Sequence, residues 1–217
     1  GTGRTVWSIG YQDVLAIGRT LTSGILDTSR VVALAGDCVD RPRLLSTRLG
    51  ASIHELVRGE IEAPGDCRVI TGCVLSGRRA DGGNAFVGRY HNQVSVIREG
   101  GERRRFGWLG LWPRRYSASA TLLKRTGHRR AFDFDTAMNG RFSGMLPVGV
   151  FEQIMPFDIL PSPLFRALLV MDTDQAQALG CLELAEEDLA LASFACPAKQ
   201  DYSRALRMTL DRIEREG

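Results

Sequence analysis

The feature that most restricts how this chain can fold is the succession of short segments between Arg30 and Gly77. Val31-Val32-Ala33-Leu34 is a β-branched run that stops at Gly36, the pattern of a strand entering a turn. Residues 44–49 read as a second strand, with Pro42 holding its start outside the hydrogen-bonded ladder. Ser52-Ile53-His54-Glu55 has the spacing of a capping box, in which the Ser52 hydroxyl accepts from the Glu55 amide and the Glu55 carboxylate reaches back to the Ser52 amide. Ile53, Leu56 and Val57 give that short helix one apolar face, and Gly59 is placed to stop it in the left-handed region. Strand is expected again at Val69-Ile70 and Val74-Leu75, punctuated by Gly72 and Gly77. Strand, strand, helix, strand, strand is the order of a β-grasp (ubiquitin-like) unit.

Around that unit the pattern changes. Tyr11-Gln12-Asp13 opens a short helix whose Val14, Leu15 and Ile17 are expected to face a core, and Trp7, Tyr11 and Ile17 are too much apolar surface for a free tail. Downstream, residues 85–87, 93–97 and 105–109 are strand candidates, residues 117–123 a helix, and residues 131–135 alternate like a strand. Beyond Pro156, Pro161 and Pro163 the chain is helical in character. Pro163 suits the first turn of a helix running to Met171, Asp172 or Thr173 caps the next, and Gly180 ends it. Glu186-Glu187-Asp188 suit a helix start, and Tyr202, Leu206, Leu210 and Ile213 make one apolar stripe on a terminal helix. The expected fold class is therefore α+β: a β-grasp domain over residues 31–112, then a small helical domain over residues 113–217.

Bulk properties exclude several functions. With 28 basic and 25 acidic residues the net charge is only +3, and the arginines come in scattered pairs and triples such as Arg103-Arg104-Arg105, so no nucleic-acid groove is expected. No apolar run nears the ~20 residues that span a bilayer, so no transmembrane segment is expected. The five cysteines, Cys38, Cys67, Cys73, Cys181 and Cys196, include no Cys-x-x-Cys pair and are odd in number, which favours reduced thiols. Asp133 and Asp135 are too few oxygens for a hard-cation loop; His91 has no carboxylate or cysteine nearby in sequence, and it, His54 and His128 are expected to make ordinary hydrogen bonds. No nucleophile–base pair, phosphate loop or zinc spacing emerges, so no catalytic residue is assigned. The chain opens on Gly1 rather than methionine and is expected to be part of a longer protein.

Certain phrases carry a family resemblance. Ala33-Leu34-Ala35-Gly36, Thr47-Arg48-Leu49-Gly50-Ala51-Ser52 and Val69-Ile70-Thr71-Gly72-Cys73-Val74-Leu75-Ser76-Gly77 resemble the soluble-ligand-binding β-grasp domain found in the A subunit of the bacterial sodium-translocating NADH:quinone oxidoreductases. Met155-Pro156-Phe157-Asp158-Ile159-Leu160-Pro161, Asp172-Thr173-Asp174-Gln175-Ala176-Gln177-Ala178-Leu179-Gly180-Cys181 and Cys196-Pro197 extend the resemblance, in the family's order, to the C-terminal half of that protein. Trp7 to Gly18 resembles the end of the family's Rossmann-like domain, so residues 1–30 are expected to be its remnant, without a dinucleotide fingerprint. The C subunit of the related Rnf electron-transport complex carries iron–sulfur ligands where this chain keeps Cys181 and Cys196. Two thiols fifteen positions apart are too few for a cluster, and residue 193 is serine where relatives have cysteine, so no metal is expected.

The resemblance implies a peripheral subunit on the cytoplasmic face of the inner membrane, docked on the other subunits of a complex that passes electrons from NADH to ubiquinone and exports sodium. It also implies that flavins and iron–sulfur centres sit on those other subunits, with no cofactor bound by this chain. The alternative is a quinone or small-ligand module, for which the loops at Gly36, Gly50 and Gly72 are the candidates because glycine permits close backbone approach. Glycines in such loops more often simply make turns.

Overall fold

A computed structural model of the chain describes residues 6–61, 64–100, 134–138, 140–145 and 149–216. These fall into two compact units, residues 6–100 with 134–137, and residues 138–216. The architecture is mixed α+β.

The first unit holds a five-stranded sheet of order β2-β1-β5-β3-β4, formed by β1 (Ser29–Ala35), β2 (Arg43–Arg48), β3 (Cys67–Thr71), β4 (Arg78–Arg79) and β5 (Gln93–Arg98). β1 runs antiparallel to β2, with Ser29 opposite Arg48 and Leu34 opposite Arg43, and parallel to β5, with Ala33 opposite Gln93. β5 runs antiparallel to β3, which runs antiparallel to β4. A central parallel pair flanked by hairpins fits a β-grasp-like fold. Alternation drives β1: Arg30, Val32 and Leu34 are buried while Val31 faces out. β5, central and covered on both faces, buries four consecutive residues from Val94 to Ile97. Its Ser95 is compatible with that burial because its hydroxyl donates to the Gly72 carbonyl at 2.8 Å and accepts from Gln93 Nε2 at 2.7 Å.

Helix α2 (Ile53–Leu56) lies across the sheet and buries Ile53 against Val32, Leu34, Val94 and Val96. Its start follows the expected chemistry by half: Ser52 Oγ accepts from the Glu55 amide at 3.4 Å. The flanking backbone is instead held by a short bridge, in which Ile53 N donates to the Ala85 carbonyl and Val87 N to the Ala51 carbonyl, each at 2.9 Å. That bridge is all the strand character residues 85–87 have.

Several expectations change. Val74-Leu75 is not a strand but a tight turn closed by Gly77 N donating to the Cys73 carbonyl at 2.9 Å, and the ladder resumes at Arg78. Cys38 and Cys67 are not free thiols: they form a disulfide, because the turn after β1 and the start of β3 converge with their Cα atoms 6.5 Å apart. Helix α1 (Tyr11–Ser23) is longer than a short opening turn, and it buries no residue: Val14, Leu15 and Ile17 are all exposed. The strand expected at 105–109, the helix at 117–123, His128 and Asp133 lie outside the described residues, while Asp135 forms a bridge with Arg98.

The second unit is a bundle of α3 (Val150–Ile154), α4 (Pro161–Val170), α5 (Thr173–Ala178), α6 (Ala190–Ala195) and α7 (Tyr202–Glu216). α4 begins on Pro161, which needs no donor there, and ends on a left-handed Met171. Asp172 Oδ1 accepts from the Gln175 amide at 3.0 Å to cap α5, and Gly180 at φ 91 turns the chain out of it. The expected stripe of α7 is inward: Tyr202 and Leu206 are buried and Leu210 and Ile213 pack beside them. Phe151, Phe165 and Tyr202 form the aromatic centre, with Phe151 edge-on to both other rings and Phe165 stacked on Tyr202 at 4.4 Å.

Candidate functional site

The three loop glycines do not converge. Gly36 follows the end of β1, whereas Gly50 follows β2 and so lies beside the start of β1, roughly 20 Å away at about 3.3 Å per strand residue. Gly72 follows β3, its amide donating to the Gln93 carbonyl at 2.8 Å. Each has a backbone reason to be glycine. Gly36, at φ 131, runs so close to β5 that a Cβ would lie 1.8 Å from the Val96 carbonyl oxygen. Gly72, at φ 100, packs under Gly77 and the His91 ring, and a Cβ would meet either at 3.2 Å. Gly50, at φ 74, faces open space, with nothing within 4 Å of where a Cβ would stand.

A more built arrangement sits where α1 meets the sheet. β5 pairing starts only at Ala33, so the Val31 amide and carbonyl would be open on that edge. Gln12 fills the gap: its Oε1 accepts from Val31 N and its Nε2 donates to the Val31 carbonyl, both at 2.9 Å. One residue on, Asp13 forms an ion pair with Arg30, whose side chain is 2% exposed against 13% for Asp13. Arg89 Nη1 approaches the same carboxylate oxygen at 3.5 Å. The Arg30 Nε is buried and has no hydrogen-bond partner among the described residues. Beside the trio is a dent of about 160 Å³ whose walls include Ile17, Leu21, Leu26 and Leu49. No local motif marks these residues, since Asp13 lies 17 positions from Arg30 and 76 from Arg89. At the dent's edge the Asp27 carboxyl is held below the usual carboxylate range by the Ser29 hydroxyl and amide, with help from Arg19.

Cysteine chemistry divides three ways. Burial alone would raise the Cys73 thiol, but hydrogen bonds from the Ser76 hydroxyl and amide outweigh it and hold the thiol below its ordinary value. Cys181 is fully buried, which pushes its thiol up. Cys196, also buried, lies 3.4 Å from the Tyr202 hydroxyl, whose own ionisation is pushed far up by burial and by that cysteine. Both are core residues of the helical unit. Among the described residues no group of three or more histidine, cysteine or acidic side chains could hold a metal ion.

Comparison with known proteins gives this geometry a context. The family model described as "NQRA C-terminal domain" matches residues 31–82, from β1 through the Gly72 turn. The A subunit of the Na(+)-translocating NADH-quinone reductase of Neisseria gonorrhoeae is 52% identical over 217 residues, all of this chain and 48% of the relative. Its counterpart in Serratia proteamaculans is 52% identical over 214 residues, 99% of this chain and 47% of the relative. That of Hahella chejuensis is 51% identical over 212 residues, 98% and 47%.

Over its whole length the chain is similar to the A subunits of the Na(+)-translocating NADH-quinone reductases. It spans about half the length of the curated relatives it matches. The residues matched by the family model, 31–82, include Gly36, Gly50, Gly72, the Cys38–Cys67 disulfide and Cys73. The helical unit, with Cys181 and Cys196, is covered by the whole-length similarity instead.

Proposed function

We propose that the chain is the C-terminal half of the A subunit of a sodium-pumping NADH:ubiquinone oxidoreductase and has a peripheral docking and assembly role on the cytoplasmic face of the membrane. The observation that carries this reading is about 52% identity sustained over the entire chain to proteins named as that subunit. It is supported by the form of the protein: no helix of the described residues is long and apolar enough to cross a membrane, as a peripheral role requires. In this reading residues 1–30 are the end of a Rossmann-like domain, residues 31–112 the β-grasp domain and residues 113–217 a helical domain of iron–sulfur ancestry that holds no cluster. NADH, flavins, iron–sulfur centres and ubiquinone are handled by or with the other subunits.

The test is complementation. Membranes from a strain lacking this protein are mixed with the full-length form, and sodium-stimulated NADH:quinone reduction and sodium uptake into vesicles are measured. Restored activity, with the membrane subunits co-purifying on the added protein, is the expected result. Failure of the membrane subunits to co-purify with the folded, added protein would sink the docking and assembly role.

The second reading is a quinone or small-ligand site on the β-grasp domain. Gly50 favours it modestly, since its turn opens onto free space rather than onto packed backbone. Quenching of tryptophan fluorescence in the full-length protein by a water-soluble quinone, abolished by Gly50→Val, would favour it over docking alone.

A further inference from the structure

Helix α1 is tied down by polar contacts and has apolar side chains left over. Gln12 and Asp13 fix its first turn to β1, yet none of its thirteen residues is buried. Tyr11, Val14, Ile17 and Leu21 recur at helical spacing and are all exposed, Leu21 at 80%. Trp7 ahead of the helix, at 91%, and Leu26 behind it, at 72%, widen the patch. Helices of this length are marginal in water without a packed face. A contiguous apolar surface of this extent is what a monomeric protein normally covers. At its foot lies the dent beside Arg30.

Resting on the reading of this chain as the C-terminal half of a longer subunit, we infer that this face is the seat for the half of the full-length protein that the chain does not include. In the relatives roughly half the polypeptide lies outside the aligned region, and the family description places the matched residues in the C-terminal domain, so the uncovered half joins ahead of Trp7. The face is at that junction. A domain tethered there meets it at a high effective concentration that no separate partner matches. An apolar side chain of that half fills the dent between Ile17, Leu21 and Leu26. Asp13 holds the Arg30 guanidinium at the dent's wall, and Arg89 approaches the same carboxylate.

The experiment is radical or carbene footprinting of the purified full-length protein, checked as a monomer by sedimentation. Leu44, 72% exposed on β2 and remote from the dent, is the internal reference. Labelling of Trp7 and Leu21 is expected to be several-fold lower than that of Leu44. In Leu21→Asp, which alters a side chain making no buried contact within this unit, labelling of Trp7 is expected to rise to the Leu44 level. Trp7 and Leu21 labelled as readily as Leu44 in wild-type monomer would overturn the inference, with no need of the variant. Protection that vanishes on dilution along with a dimer would overturn it as well, since a second copy would then be the cover.

Discussion

The sharpest consequence of the sheet geometry concerns Gly36. Replacing it with alanine imposes two separate costs. At φ 131 an L-residue is strained, by about 1–3 kcal/mol for a sparsely populated backbone region. The new methyl also collides with backbone, 1.8 Å from the Val96 oxygen and 2.6 Å from its carbonyl carbon, where nothing can rotate away. Separating β1 from β5 to make room forfeits the Cys38 N to Val96 carbonyl bond at 3.4 Å and costs a further ~1–3 kcal/mol, as overpacked cores do. The lower entropy of the unfolded alanine chain returns roughly 0.4–1 kcal/mol. The net is about 2–5 kcal/mol. Gly50→Ala is the control, because there only the left-handed backbone penalty of ~1–2 kcal/mol applies, with open space around the methyl. Since the chain has two units, one unfolding midpoint would mix them, so the assay is native-state hydrogen exchange of the β1 and β5 amides. Gly36→Ala should speed their exchange by about one to two orders of magnitude more than Gly50→Ala, at ~1.4 kcal/mol per tenfold. Equal exchange in the two variants would show that β1 and β5 do not approach as described, and that Gly36 is free for another use.

Three further outcomes follow from the same unit. Asp13→Asn leaves Arg30 buried without its countercharge and should destabilise the sheet unit by about 3–5 kcal/mol, read as a lower urea midpoint of that unit; no change would mean that Arg30 reaches water. Reduction of the Cys38–Cys67 disulfide, whose partners are 29 positions apart, should cost roughly 3–4 kcal/mol on the loop-entropy estimate, and mass spectrometry after alkylation in denaturant should count three labels before reduction and five after it. Cys73, its thiol held below the ordinary value, should alkylate at neutral pH faster than an unperturbed thiol; Ser76→Ala should raise its pKa and slow the reaction at neutral pH, while at strongly alkaline pH, where both thiols are fully ionised, the rates converge. Equal rates at neutral pH would remove the Ser76 contribution.

What could be read from sequence was whatever depends on neighbours close along the chain. A β-branched run stopping at Gly36 located β1, the Ser52 cap opened α2, which ends on Val57 two residues ahead of the left-handed Gly59, and Asp172 and Gly180 bounded α5. The misread elements share a different character. Val74 and Leu75 have the composition of a strand, but the chain reverses there because Gly77 nestles on the Cys73 carbonyl, where a Cβ would stand 2.4 Å away. Cys38 and Cys67 look unrelated at a spacing of 29, and only the β1–β5–β3 order brings the turn after β1 to the start of β3.

Helix α1 shows the same limit from the other side. Its periodicity correctly announced a helix with an apolar face, but periodicity specifies that a face wants cover, not which polypeptide supplies it. The polar anchor resolves the apparent conflict. Gln12 completes the β1 ladder and Asp13 neutralises Arg30, so the helix is positioned by directional bonds that do not use its apolar stripe. Hydrogen bonds and a buried ion pair set orientation at modest net stabilisation, whereas apolar area supplies most of the free energy of association. A helix so arranged holds its stripe ready for a second surface instead of spending it on its own sheet. That division of roles is legible only once Asp13, Arg30 and Arg89, scattered along the chain, are seen lining one dent with Ile17 and Leu21.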